Sequence, residues 1–403
     1  MSNCVARQPI FNEKLKIFGY ELLYRNTHKS VAYDAVDGNI ASSETIMRSF
    51  HEIGVERVTN GRRAFINFTE KLLLDDVATL LPKKILVVEL LEDILPTPEV
   101  LEACTRLRSK GYLIALDDFR IDPAYMPLLT VADIVKVDFM TTAPDIIGAL
   151  AQKLANTSIR LLAEKIETYE NFEFAKRMGF SLFQGYFFSK PVILQADAKL
   201  SPLRLNCLRL IRLAFDPNID FPKVSKIIKQ DVALSYRLLR VVNSAYFGLR
   251  YSVNNIRQAL VILGMDEVKK WTTLISMAEI TEGKPDELIS MSLVRARLLE
   301  ILGPTVGLAR YADDLFMLGL MSLMDAITDM PFEEIAKLTQ ISDEILDAIV
   351  NQNGKYGELL TMVVHYEHCA WEEAVEIGER YGVSESLLAE KYLEAVEWAN
   401  ILL

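Results

Sequence analysis

Six short runs decide the fold: RAFIN (63–67), ILVVEL (85–90), YLIALD (112–117), DIVKVD (133–138), IRLLAE (159–164) and LFQGY (182–186). Each is apolar or β-branched through its middle, and helical stretches separate them. That alternation predicts parallel β/α units. Upstream, Val5–Ile10 and Ile17–Tyr24 are parted only by the turn-like Phe11-Asn12-Glu13-Lys14, so they pair antiparallel or open the structure irregularly. The sum is about eight strands, the number in a (β/α)8 TIM-like barrel.

Beyond residue 203 the strand signal ends. Apolar residues recur at threes and fours, as in Val224, Ile227, Ile228 and then Leu234, Leu238, Val241, Val242, which predicts an all-helical second half. Ser189-Lys190-Pro191 and Ser201-Pro202 bracket a proline-bearing connection, so the expected division is an α/β barrel over 1–197 and an independently packed all-α domain over 198–403. Met317, Met321 and Met324 read as core, and residues 384–403 as an amphipathic helix buried on its own domain.

Composition narrows the function. With 44 Lys+Arg against 55 Asp+Glu, a net −11, the chain lacks the basic footprint of a protein that holds duplex nucleic acid. Hydrophobic residues at 51% supply real cores and exclude disorder as the main state. The start MSNCVARQPIF has neither a basic region nor an apolar run of the signal-peptide kind, and no stretch is long and apolar enough for a membrane span, so the chain is expected to be cytoplasmic. Cys4, Cys104, Cys207 and Cys369 show no CxxC spacing and read as reduced core thiols; His365 and His368, at i, i+3 without HExxH context, read as ordinary histidines.

In a β/α barrel, chemistry gathers at the carboxyl ends of the strands. Here those ends carry Glu21, Asn67, Glu89, Asp117 with Asp118, Lys136, Glu164 and Gln184. Five carboxylates in one mouth repel one another and raise each other's pKa unless a cation neutralises them. Carboxylate and amide oxygens without His or Cys suit Mg2+ or Mn2+ rather than zinc, and an adjacent Asp117-Asp118 pair can bridge two such ions.

These residues also form an ordered series that resembles the bacterial EAL domain. Glu21-Leu22-Leu23-Tyr24-Arg25 is similar to its EALxR signature, with Leu22 for the central alanine. Asn67 in INFT resembles the NxS asparagine, Glu89 and Glu92 the glutamates of ELTE, and Asp117-Asp118-Phe119 the DDF triplet. Lys136-Val137-Asp138 resembles KID, Glu164-Lys165-Ile166-Glu167-Thr168 the AEGVET motif, and Gln184–Pro191 the QGYxFSKP run. The resemblance implies a barrel that binds cyclic di-GMP and, where competent, hydrolyses it to a linear dinucleotide. It implies a first metal held by Glu21, Asn67, Glu89 and Asp117, and a second organised by Asp117, Asp118 and Glu164. Lys136 is then set to poise the nucleophile, with Glu21 and Glu164 beside it in the catalytic set. Gln8, Arg25, Gln184 and Pro191 are set to meet the substrate, and Glu92 to anchor a loop.

The series departs from the family after DDF. Active relatives have a glycine-rich loop there, whereas this chain reads Phe119-Arg120-Ile121-Asp122-Pro123-Ala124-Tyr125, and the interval from Asp118 to Lys136 is 18 residues, about two shorter than expected. The barrel also lacks the usual leading helix, which predicts imperfect closure. In the second half, Asp231–Leu234, Val242–Phe247 and Ile256–Leu260 resemble the HDOD domain, a helical relative of HD phosphohydrolases. The region that would carry the His-Asp pair reads Leu318–Asp325 without histidine, so this half is expected to contact a protein partner rather than to catalyse. Asn243, Ser244 and Arg257 read as caps and backbone satisfiers ahead of a ligand pocket. Three functions stay open: a two-metal phosphodiesterase, a receptor that binds without turnover, and a scaffold with relic chemistry.

Overall fold

The computed structural model describes residues 3–26, 54–119, 121–190, 221–230, 232–243, 251–265, 284–339 and 341–402, with positions 211, 268 and 276. Eight strands form a closed barrel: β1 (Asn3–Asn12), β2 (Ile17–Asn26), β3 (Arg63–Phe68), β4 (Leu86–Leu90), β5 (Leu113–Leu116), β6 (Ile134–Asp138), β7 (Arg160–Glu164) and β8 (Leu182–Gln184). β1 runs antiparallel to both β2 and β8, and every other neighbouring pair is parallel. The expected flaw in closure is therefore not found. Three register pairs, Ile10–Gln184, Phe11–Phe183 and Asn12–Leu182, complete the ring.

Local chemistry explains the regular part. Thr97 caps the helix Pro98–Lys110 by accepting from the Val100 amide, Pro98 opens it, and Gly111 ends it at φ +94°. Thr69 and Thr168 cap the helices Glu70–Leu74 and Tyr169–Arg177 in the same way. Inside the barrel Ile10, Phe65, Val87, Ala115, Ile134, Leu162 and Leu182 form a dry layer below the mouth. Phe18 closes the floor beneath them, with the Arg160 guanidinium 4.5 Å from its ring centroid. The interior is thus a packed core with its polar residues confined to one end.

Among the described residues, the outer face of the β1–β2 hairpin is covered from the second half of the chain. Helices Asp286–Leu302, Gly354–Glu367 and Glu385–Leu402 from the far end of the chain cover it. They join the barrel in one continuous hydrophobic core, so the two halves are not packed independently as expected. The last helix packs on its own domain and also on β1 and the short helix Val55–Val58, where Asn400 donates to the Arg57 carbonyl.

Polar groups buried in this seam are paired. Arg7 donates to Ser290 Oγ at 2.9 Å and lies 4.6 Å from the Tyr20 ring centroid, while Tyr20 donates to Glu287 Oε2 at 2.8 Å. Tyr366 donates to the Val5 carbonyl at 3.2 Å. A buried guanidinium is costly unless hydrogen-bonded; here the barrel's own Val58 carbonyl accepts from Nη1, and the helical half adds Ser290 and the Glu287 carboxylate.

Residues 224–268 are different. Val224, Ile228, Leu238, Val242, Val253, Ala259, Leu260 and Val268 form a second cluster, separate from the main core among the described residues. There Asn243 donates to the Leu239 and Val253 carbonyls and accepts from the Val253 amide, the backbone-satisfying role expected of it. Arg257 is exposed, and Ser244 lies outside the described residues. Met317, Met321 and Met324 are core, as expected.

Candidate active site

Strand alternation assembles the mouth. Residues two apart along a strand share a face, so the strands that place Phe65, Val87, Ala115, Ile134 and Leu162 in the interior also turn Asn67, Glu89, Asp117, Lys136 and Glu164 inward one layer higher. The register pairs Asn67 with Glu89 and Gln8 with Glu21 on neighbouring strands.

Lys136 is the hub. Its side chain is 1% exposed, and Nζ lies 2.8 Å from Glu164 Oε1, 2.9 Å from Asp117 Oδ1 and 3.5 Å from Glu21 Oε2, with Glu89 Oε1 in close contact. Burial works against the ammonium, but Glu164, Glu21, Glu89 and Asp117 outweigh it and hold the lysine well above its ordinary range. The carboxylates are less well served. Burial raises Glu89 well above the usual range, opposed by Lys136 and reinforced by Glu21 and Asp117. Burial likewise pushes Glu164 up to about 8 against the pull of Lys136. Asp118 is raised by burial and by Asp117.

The donors left over fit hard cations. Asn67 Oδ1, Glu89 Oε2, Asp118 Oδ1 and Gln184 Oε1 are buried without a hydrogen-bond partner. Oxygens of Asp117, Asp118 and Glu164 lie within 4.8 Å of one another, the one such group of potential metal ligands among the described residues. With all five carboxyls ionised, Glu21, Glu89, Asp117, Asp118 and Glu164 against Lys136 leave −4, a charge that two divalent ions would neutralise. An all-oxygen set of this kind suits a hard ion.

Backbone geometry shapes the rim. Asp118 adopts φ +38°, and its amide donates to Asp117 Oδ1 at 3.1 Å. Gly185 at φ +139° follows β8 so closely against Ile166 that an added Cβ would stand 2.2 Å from the Ile166 carbonyl oxygen. Only glycine fits there, and its position lets Gln184 point into the mouth.

Of the residues expected in the site, Glu21, Asn67, Glu89, Asp117, Asp118, Lys136, Glu164, Gln184 and Gln8 converge on the mouth. Glu92 lies exposed in the turn after β4. Pro191 and the Arg25 side chain lie outside the described residues, as does the 197/198 boundary. Asp138 was missing from the expected set. It accepts from Lys165 Nζ at 2.6 Å and from the Met140 and Thr141 amides, which hold it below the usual carboxylate range although burial opposes this. Alternation from Lys136 was the signal that placed it. Tyr186 and Cys369 were also missing: Gln8 Nε2 donates to Tyr186 Oη at 3.3 Å and to Cys369 Sγ at 3.7 Å, the latter from the helical half.

A closed β/α barrel with an antiparallel first strand and an acidic, lysine-centred mouth, seamed to a helical domain, defines a two-domain class. The EAL domain model matches residues 4–191 and the HDOD domain model residues 200–349. A cyclic di-GMP phosphodiesterase of Vibrio cholerae, CdgJ, is 34% identical over 401 residues, covering 98% of this chain and 92% of that protein. The Bacillus subtilis protein YuxH is 35% identical over 407 residues, covering 99% and 98%. An EAL domain protein of Listeria monocytogenes is 20% identical, with a TM-score of 0.37 over 46% of this chain and 87% of that one. The chain belongs to the EAL–HDOD family. Among the described residues, no helix is long and apolar enough to cross a membrane.

Proposed function

We propose that the barrel hydrolyses cyclic di-GMP to the linear dinucleotide pGpG in the cytoplasm, with two Mg2+ or Mn2+ ions, and that the helical half engages a protein partner. The observation that carries this reading is the cluster of unpartnered carboxylate and amide oxygens around Lys136, in a chain that aligns end to end with CdgJ.

Glu21, Asn67, Glu89 and Asp117 would hold one ion, and Asp117, Asp118 and Glu164 the other. Divalent cations in such a site activate water and neutralise charge on the phosphoryl oxygens. The net reaction adds water to one phosphorus and breaks its bond to O3′, leaving a 5′-phosphate and a 3′-hydroxyl. Lys136 keeps its proton throughout and steadies the negative charge of the attacking group. Gln8, Arg25 and Pro191 position the nucleotide, Gln184 Oε1 offers a free acceptor to the mouth, and Glu92 steadies the adjoining loop.

A receptor reading is favoured by one observation, the loss of glycine in Phe119–Tyr125. One assay separates the two. Purified protein is incubated with cyclic di-GMP and Mg2+ or Mn2+, with Glu21→Ala as control, and both pGpG and equilibrium binding are followed. Turnover lost in the variant supports the enzyme, binding without product supports the receptor, and neither result leaves only the scaffold.

A further inference from the structure

A chain of hydrogen bonds leads from the catalytic mouth into the helical half. Gln184 Nε2 donates to Glu21 Oε2 at 2.6 Å and to Gln8 Oε1 at 3.0 Å. Gln8 Nε2 donates to Tyr186 Oη at 3.3 Å, and Tyr186 donates to the Glu367 backbone carbonyl at 2.7 Å. The Glu367 carboxylate is gripped by Arg295, through Nε at 2.9 Å and Nη2 at 2.7 Å, and Arg295 Nη1 reaches Ser322 Oγ at 3.1 Å. Arg295 and Glu367 are both buried. The Tyr186 ring lies against His368, with centroids 3.8 Å apart.

Donor and acceptor arithmetic gives this chain a direction. The Tyr186 phenol, pushed up by burial, has one proton and commits it to Glu367. Its oxygen can then only accept, so the amide end of Gln8 must face it and the carbonyl end must face Gln184. Gln184, whose amide must face the acceptor-only carboxylate of Glu21, agrees with that orientation, and its carbonyl, buried and without a hydrogen-bond partner, is turned to the mouth. Take away the Tyr186 hydroxyl, or let the Glu367 carbonyl swing, and Gln8 is held from the Gln184 side alone, so the second acceptor of the Gln184 amide loosens. A flipped Gln184 would face Glu21 with oxygen against oxygen.

We infer that Tyr186 and the Arg295–Glu367 pair are positioning residues for the barrel's chemistry, and that the helical half, acting through Gln8, steadies Gln184 on the metal ligand Glu21. The inference rests on the phosphodiesterase reading for its kinetic readout, but not for its structural one. None of the three groups touches the reacting atoms. They act through two amides, and the half of the chain without catalytic groups thereby contributes to the active site.

The test uses the full chain carrying Tyr186→Phe, Arg295→Lys, or both, each first shown to be folded by circular dichroism. Two quantities are measured: kcat and KM for cyclic di-GMP with Mg2+, and the affinity of nucleotide-free protein for Mn2+ by calorimetry. Each single variant is expected to lower kcat by about threefold to tenfold, the worth of one hydrogen bond, with KM within about twofold. The double variant is expected to be no worse than the weaker single one, because both act through the same link. Mn2+ affinity is expected to fall several-fold in both. An unchanged kcat in folded Tyr186→Phe, or losses that multiply in the double variant, overturns the inference. A wild type without turnover sinks the phosphodiesterase reading alone, and Mn2+ affinity then decides: unchanged values overturn the inference, weakened ones sustain it. If Arg295→Lys does not fold, Ser322→Ala replaces it under the same criteria.

Discussion

Replacing Lys136 by methionine keeps the length of the side chain and removes the single ammonium that faces Glu21, Glu89, Asp117 and Glu164. Deleting one partner of a buried ion pair costs about 3–5 kcal/mol, because the remaining charge is left uncompensated. At about 2–4 °C per kcal/mol for a unit of this order of size, the cation-free variant should melt about 6–20 °C below the wild type. Divalent ions in the same mouth supply the missing positive charge, so Mg2+ should raise the Tm of the variant more than that of the wild type.

The sign with pH follows from Glu164. Its folded pKa of about 8 lies above the ordinary 4.5, so the folded state holds more protons than the unfolded one between those values. Stability of the cation-free protein therefore falls as pH rises from 4.5 to 8, and it should fall more steeply in the variant. Scanning calorimetry in chelator and in excess Mg2+ across that window measures all three effects. A variant that melts within about 2 °C of the wild type in chelator at the upper end of the window, with the same response to Mg2+, would refute the charge accounting.

Gly185→Ala should cost about 4 kcal/mol or more, since its Cβ meets the Ile166 backbone and its φ is +139°; an unchanged urea midpoint would contradict the geometry of the rim. Residues 1–197 alone should not give a stable monomer. Val5 and Tyr20, met by Tyr366 and Glu287 from the helical half, lose that cover at about 1.5–3 kcal/mol each, a large share of the stability of a domain. A monodisperse truncated chain with native near-ultraviolet dichroism would show the seam to be dispensable. His368 is pushed down to about 4 by burial of its ring and by Arg295. It is neutral in the fold, so its contribution to stability is present above pH 6.5 and diminishes as pH falls toward 4. Its ring is partly exposed, which keeps that loss small; an imidazole NMR titration centred at 6.5 would count against the stacking on Tyr186.

The barrel was legible because buried parallel strands have their own grammar: apolar through the middle and polar where they leave the core. Strand ends alone brought Glu89, Asp117, Lys136 and Glu164 to one mouth. Asp138 was equally available, two residues beyond Lys136 on the same face, but lay hidden inside a motif. The seam was not legible. A helical stripe in 286–302 or 385–402 says that a face is buried without saying against what. Arg7 on a strand reads as a solvent-facing residue until Ser290 and Glu287 arrive from 280 positions away. Tyr186 and Cys369 were missed for the same reason, since neither acts except through a partner distant in sequence.

The small cluster around Leu238 and Leu260 has a consequence of its own. Among the described residues its apolar contacts close on themselves, so substitutions at those positions should be little felt in the packing beneath the barrel. Sequence there can then be rewritten while the packing around the mouth is inherited intact. Relatives should accordingly diverge faster there than along the helix 286–302, and native-state amide exchange should find a lower opening energy in that cluster than in the strands.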